Sequence, residues 1–256
     1  MIKLIPMAGA GSRFAEKGYT VPKPLLPILN EPMVIKASKA LPEAEKSIFI
    51  LRDFHIKEFQ IDNAIKSYYP NSEVIVLKEL TEGQASTCLM AKEFINTQEE
   101  LIIGASDNGM FYDKNKFEEC KSKADAIVFT FKNNNSVLEK PQAYGWAITN
   151  EQNKIQEMKV KYMMPNPMDN HAVVGAFWFK HGCDFVSAAE NMISQNRRIN
   201  NEFYVDECLN DLIKMGKKVL AFEVNQYLCW GTPNDYETFL YWESYFKKLK
   251  QHPYGK

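Results

Sequence analysis

The chain has 256 residues, 45% hydrophobic and 25% charged, with a formal net charge of −1. Such figures describe an ordinary globular protein and exclude a strongly basic surface for nucleic acid or anionic membrane. No apolar run is long enough to span a bilayer, and the sequence opens directly on a strand, so the expectation is a cytoplasmic protein without a signal peptide.

Taken in chain order, short apolar runs alternate with helical patterns. Residues 3–7 read as a strand, 33–41 as a helix, 47–51 as a strand, 55–68 as a helix, 73–77 as a strand, 84–94 as a helix, and 100–104 and 126–131 as strands. Continuous apolar strands separated by helices predict a parallel sheet covered on both faces, with ligands at the carboxyl ends of the strands. The second half changes character. Residues 144–148 and 154–158 alternate as antiparallel strands do, 173–179 is a buried strand, 183–195 and 205–214 are helices, 219–224 is a late strand and 235–248 a terminal helix. Residues 163–168 carry prolines and an Asn that break both periodicities and predict a loop. The basic tail Phe246-Lys247-Lys248-Leu249-Lys250 reads as a solvated helix face. The aromatic residues Phe239, Tyr241, Trp242, Tyr245 and Phe246 have a spacing that suits packing onto the parent domain, with a homo-oligomer seam as the alternative. Five cysteines and four histidines are dispersed without a Cys-x-x-Cys, which points to free thiols.

The most informative stretch follows the first strand. Ala8, Gly9, Ala10, Gly11 and Ser12 form a loop of small residues that lets backbone N–H groups approach a polyanion, and Arg13 and Lys23 add positive charge. Gly9 and Gly11 begin a dinucleotide fingerprint, but Phe14 stands where its third glycine belongs. No Gly-Lys-Ser/Thr exists for a P-loop. Gly9-Ala10-Gly11-Ser12-Arg13, followed by Lys23-Pro24, Pro27 and Pro32-Met33, resembles the signature of the nucleotidyltransferases that make sugar nucleotides and related activated headgroups.

That resemblance implies an α/β fold with a Rossmann-like, mostly parallel central sheet, helices on both faces and a smaller antiparallel acceptor-binding portion. It implies one domain over residues 1–256, with a nucleotide-binding half to about residue 135 and an acceptor-binding half beyond. The implied reaction is attack by an acceptor phosphate on the α-phosphorus of a nucleoside triphosphate, with pyrophosphate leaving. The nucleophile is already an anion, so catalysis should be positioning and charge neutralisation rather than proton abstraction.

The resemblance also assigns roles. Arg13 would bind the leaving pyrophosphate, and Lys23 the α-phosphate or the acceptor phosphate. In Gly104-Ala105-Ser106-Asp107-Asn108, Asp107 would hold Mg²⁺ beside the nucleotide contact Ser106, although Asp-Asn-Gly also favours a plain Asx turn. Gly83 and Gln84 of Glu82-Gly83-Gln84-Ala85 resemble a base-recognition turn whose amide suits a pyrimidine; Thr81 with Gln84 equally fits a capping box. Lys161 would contact the acceptor phosphate, and Tyr144, Gly145 and Gly175 would line the acceptor pocket.

One departure stands in Cys229-Trp230-Gly231-Thr232-Pro233, where many relatives carry a metal-binding aspartate in place of the cysteine. A thiol is a poor Mg²⁺ ligand, so Asp107 with water suffices, or Asp206 or Glu202 substitutes. The details look most like capsule-pathway cytidylyltransferases that use CTP and a phosphorylated non-sugar such as phosphoglutamine, whose carboxylate Lys140, Lys161, Arg197 or Arg198 would hold. A sugar-1-phosphate uridylyl- or thymidylyltransferase is the alternative, and a non-catalytic nucleotide-binding regulatory protein an alternative of another class.

Overall fold

Strand β1 (Ile2–Pro6) is buried on both faces and lies in the middle of the main sheet of the computed structural model, which describes residues 1–249. Lys250 of the predicted basic tail lies outside the described residues. The chain then runs through α1 (Ser12–Glu16), a small ladder of β2 (Pro27–Ile28) and β3 (Glu31–Pro32), α2 (Met33–Ala40), β4 (Lys46–Arg52), α3 (Asp53–Phe59), α4 (Ile61–Tyr68) and β5 (Glu73–Leu77). It continues through α5 (Gln84–Leu89), α6 (Lys92–Ile95), β6 (Leu101–Gly104), β7 (Asn108–Phe111), α7 (Lys114–Lys121) and β8 (Ala126–Phe131). The second half adds α8 (Ser136–Glu139), β9 (Gly145–Thr149), β10 (Ile155–Val160), β11 (His171–Phe179), α9 (Gly182–Ser194), α10 (Val205–Lys214), β12 (Val219–Glu223), β13 (Gln226–Cys229) and α11 (Pro233–Leu249).

β5, β4, β1 and β6 pair in parallel, in that spatial order. β11 runs against β6 and β8, and β12 lies parallel to β8. β9 and β10 form an antiparallel hairpin attached to the start of β11. The fold is therefore α/β with a mostly parallel central sheet and a smaller antiparallel portion. Alternation along the strands sends Leu4, Ile48 and Ile103 to one face, covered by α5, α6, α9 and α10. It sends Ile5, Phe49 and Ile102 to the other, covered by α2, α4 and α7. Because β1 pairs with β4 on one side and β6 on the other, the chain reverses its winding at β1, and the loops after β1 and β6 open onto one crevice.

Several predicted elements need correction. The single helix over 55–68 is two, because Gln60 takes a left-handed conformation (φ 51°) that ends α3 and turns Ile61 and Ile65 of α4 into the core. The helix over 84–94 breaks at Met90–Ala91 into α5 and α6. β7, β13 and α7 carry too little periodicity to be read from sequence. β7 and β13 exist as a pair, and Asp113 caps α7 by accepting from the N–H groups of Asn115 and Lys116. The terminal helix packs through Tyr236, Phe239 and Leu240 onto Phe14 and Trp230, but Tyr241, Trp242, Tyr245 and Phe246 stay exposed and cluster with one another. The aromatic run thus packs onto the domain through its first part only. The cysteines are free thiols, as expected. No helix among the described residues is long and apolar enough to cross a membrane.

Candidate active site

β1 delivers the small-residue loop to the crevice. Met7 N–H still bonds to Ile50 of β4, and Ala8 is buried in the core. Gly9, Ala10 and Gly11 then line a cavity of about 390 Å³. Gly11 is left-handed (φ 65°) at the start of α1, a conformation that a side chain would strain, while no protein atom lies within 4 Å of where a Cβ at Gly9 would be. Gly9 thus faces the open cavity rather than a packing partner. Ser12 and Arg13 are exposed, and neither is among the residues lining the cavity. Arg13 makes no ion pair among the described residues.

Lys23 enters from a short 3₁₀ turn (Lys23–Leu25) preset by Pro22 and anchored by buried Pro24. Its Nζ lies 2.6 Å from Asp107 Oδ2, and both residues line the cavity with Ser106. The Asp107 loop is fixed on both sides. Ala105 N–H donates to Gly175 O, Asn108 Nδ2 donates to Val174 O, and Trp230 N–H donates to Asp107 O. Gly175 sits at the irregular point of β11 with φ 94°, where a Cβ would be 3.4 Å from Ala105 Cβ. Gly175 therefore supports the Asp107 loop directly.

The turn at Gly83 is shaped by the protein. A Cβ there would lie 2.5 Å from the Phe203 nitrogen, and the turn is tied to that residue by Phe203 N–H to Glu82 O and Ala85 N–H to Phe203 O. The capping box expected for Thr81 and Gln84 does not form. Gly83 is the residue that starts α5, and the Thr81 hydroxyl bonds to Gly83 O and Thr87 Oγ1 instead. Gln84 is left with its side chain at the cavity wall. Sequence reasoning missed the opposite wall, which is made by Tyr19, Val21, Phe54, His55 and Phe59. Burial lowers the His55 pKa, with Arg52 adding to the effect, so its imidazole is neutral at pH 7. The helical period of α3 hinted at Phe54, His55 and Phe59; no pattern marked Tyr19 and Val21, which lie between α1 and Lys23.

Away from that cavity, Val160 pairs with Gly145 across the β9–β10 hairpin, and Lys161 N–H donates to Tyr144 O. Lys161 is itself left-handed (φ 53°), and its Nζ donates to Ala143 O at 2.6 Å while lying 5.5 Å from the centre of the Tyr204 ring. Burial pulls the Lys161 pKa down, against the pull of Asp206, while Arg13 lowers it further. Asp206, at the start of α10, is buried, and burial pushes its pKa up to about 6. Burial also raises the Tyr144 phenol, to about 12, and its OH donates to Ser136 O.

The cations expected for an acceptor carboxylate are largely engaged. Arg197 pairs with Glu207 and with Asp211, and Arg198 with Glu82 while stacking over Phe203. Their carboxylate partners lie in other segments, out of view of a sequence reading.

Cys229 pairs in register with Asn108, next to Asp107. Its thiol donates to Asp235 Oδ2 at 3.4 Å, and burial raises it to about 12, so it is a neutral donor rather than a ligand for a hard cation. Neither Asp206 nor Glu202 stands there. Asp206 packs against Gly145, and Glu202 precedes α10. The carboxylate beside Cys229 is Asp235, which accepts from the N–H and hydroxyl of Thr232 while Asp235 N–H donates back to Thr232 Oγ1. This is a capping box with Pro233 as first helical residue, and Thr-Pro-Asn-Asp in the sequence was its signal. Among the described residues no group of three or more His, Cys, Asp or Glu side chains is arranged to hold a metal. Asp107 alone at the cavity matches the habit of Mg²⁺, which takes one or two carboxylates and completes its shell with phosphate and water.

The sequence matches the family described as nucleotidyl transferase over residues 2–243, so the chain belongs to that family. No curated protein matches it. Among solved structures it is similar to the nucleoside-diphosphate-sugar pyrophosphorylase of Vibrio cholerae, with TM-score 0.77, 20% identity, and 94% of this chain and 100% of that chain covered. It is also similar to a glucose-1-phosphate thymidylyltransferase from Bacillus anthracis, with TM-score 0.74, 18% identity, and coverage of 93% and 94%. A third likeness is to the inositol-1-phosphate CTP transferase of T. maritima, with TM-score 0.69, 13% identity, and coverage of 98% and 96%.

Proposed function

We propose that this member of the nucleotidyl transferase family moves a nucleotidyl group from a pyrimidine nucleoside triphosphate, CTP in the first place, to the phosphate of a small acceptor such as phosphoglutamine, with release of pyrophosphate. The observation that carries it is the meeting of Gly9, Gly11, Lys23, Gln84 and Asp107 around one cavity at the winding reversal of the sheet. The loop backbone cradles phosphates, Lys23 neutralises charge at the α-phosphate, and exposed Arg13 takes the leaving pyrophosphate. Asp107 would hold Mg²⁺, which when bound neutralises the triphosphate. Lys23, 2.6 Å from Asp107 Oδ2, would stand beside that ion as the second positive charge available to phosphate. Lys161 holds the acceptor phosphate, and the Gln84 amide meets the pyrimidine edge.

A sugar-1-phosphate acceptor with UTP or dTTP is the second reading. It is favoured by the engagement of Arg197 and Arg198 in ion pairs, which leaves fewer free cations for an acceptor carboxylate, a group that a sugar 1-phosphate lacks. Pyrophosphate release with CTP, UTP and dTTP, each against phosphoglutamine and a panel of sugar 1-phosphates, tests both. Release that needs both substrates and is fastest with CTP is expected. A triphosphate that raises Tm without turnover for any acceptor would instead identify a nucleotide-binding regulator.

A further inference from the structure

We propose that Asp206 is the positioning residue for Lys161, holding its ammonium charged where it meets Ala143 O and the Tyr204 ring, and that Gly145 is glycine to make room for that carboxylate. The proposal rests on the assignment of Lys161 to the acceptor phosphate. A Cβ at Gly145 would overlap Asp206 Oδ2 and lie 3.2 Å from Asp206 Cγ and 3.3 Å from Val173 Cγ2, so only glycine admits the carboxylate beneath the β9–β10 hairpin. The helix that carries Asp206 is clamped to the same hairpin. Asn210 Oδ1 accepts from Met158 N–H, and Asn210 Nδ2 donates to Met158 O. Directly after the end of that clamped strand, Lys161 adopts its left-handed backbone and hangs its ammonium from Ala143 O, the carbonyl two residues before Gly145.

Asp206 makes no side-chain ion pair within 4.0 Å among the described residues, although it is buried. A buried carboxylate held by the backbone N–H groups at the start of α10 but by no ion-pair partner is costly, and such groups cluster where they serve a neighbouring charge. Here that neighbour is Lys161. The charged and titratable groups facing Lys161 are Asp206 on α10, Glu202 and Tyr204 before it, Arg13 on α1 and Asp107 after β6. Arg13 disfavours the ammonium and burial does so more strongly; Asp206 is the largest opposing charge. Asp206 itself is faced by Lys161 and Glu207. Without the Asp206 charge, the ammonium would lose its proton more readily and its hold on phosphate with it.

Competitive labelling of lysines with acetic anhydride across pH, read peptide by peptide by mass spectrometry, measures the Lys161 titration directly in the full chain without any acceptor. Asp206→Asn is expected to move the Lys161 midpoint down by about one pH unit, a tenfold change in its ionisation, while surface lysines keep theirs. Inorganic phosphate should slow labelling of Lys161 in the parent and fail to do so in Asp206→Asn. An unmoved Lys161 midpoint in a folded Asp206→Asn overturns the proposal. If inorganic phosphate does not protect Lys161 in the parent, the assignment of Lys161 to phosphate fails, and that result is separate from the midpoint. Gly145→Ala keeps both charges but displaces the carboxylate; it should move the midpoint in the same direction, and a midpoint equal to the parent's would also overturn the role given to Asp206.

Discussion

Lys23 and Asp107 close on each other at 2.6 Å, one four-fifths and the other three-quarters covered, in a cavity otherwise lined mainly by small residues and aromatic walls. An ammonium at this distance is a stand-in for a cation, and it places the carboxylate that would hold Mg²⁺ next to the lysine that would meet phosphate. Breaking the pair leaves each charge in a partly dry site, so both residues are poised for opposite charges brought by substrate.

Asp107→Asn keeps the size and the turn but removes the anion. Turnover should fall by about a hundredfold, and the residual activity should need more Mg²⁺. The dependence of kcat on Mg²⁺ concentration checks this; an unchanged curve would leave Asp107 as a turn residue only.

Arg13→Ala should leave Tm unchanged, because the side chain is exposed and unpaired among the described residues. It should lower kcat by about a hundredfold, or ~3 kcal/mol, as removal of one preorganised electrostatic contact does. Near-normal turnover would remove Arg13 from the site.

Cys229→Ser should be almost silent, since a hydroxyl can replace the thiol as donor to Asp235. Cys229→Asp should not raise activity at low Mg²⁺. It puts a second carboxylate against Asp235, so it should lower Tm at pH 7 and less so at pH 4, where carboxylates begin to protonate. A leftward shift of the Mg²⁺ curve would show that the metal shell lacked a ligand.

Thr232→Ala removes the capping box of α11. The loss should be about 1 kcal/mol, or roughly 2–4 °C in Tm for a chain of this size. Calorimetry measures it. The helix carries Tyr236, whose ring meets Phe14 of α1 at 6.1 Å and whose OH bonds to Pro27 O, so a larger loss would show that the cap also steadies the phosphate loop.

Asp206 gives a prediction about stability. Its pKa in the folded chain, about 6, lies above the ordinary 3.8. The native state therefore binds the proton more tightly than the unfolded state, and this group's contribution to stability declines as pH rises from about 4 through about 6. Asp206→Asn should raise Tm at pH 7 and change it little at pH 4. A Tm gain of equal size at both pH values would mean that the carboxylate charge is not what costs stability.

The central strands of the first half, β1, β4, β5, β6 and β8, were legible because fully buried parallel strands are continuously apolar, whereas the breaks that split two of the helices between them were not. The loop Gly9 to Arg13 was marked by its run of small residues, and Lys23-Pro24 and Asp107 by their resemblance to the family signature; the structure gathers Gly9, Gly11, Lys23 and Asp107 around one cavity and leaves Arg13 off its lining. The capping box at Thr232 is also written in local sequence, in Thr232-Pro233-Asn234-Asp235. Only the tertiary structure decided the rest. The Lys23–Asp107 pair, the engagement of Arg197 and Arg198, the need for glycine at 83 against Phe203 and at 145 against Asp206, and the aromatic wall from α3 all join segments far apart in the chain. Periodicity reports which face of an element is buried; it carries no record of which distant side chain meets it. A charged residue reads the same whether it faces solvent, a substrate or a buried partner.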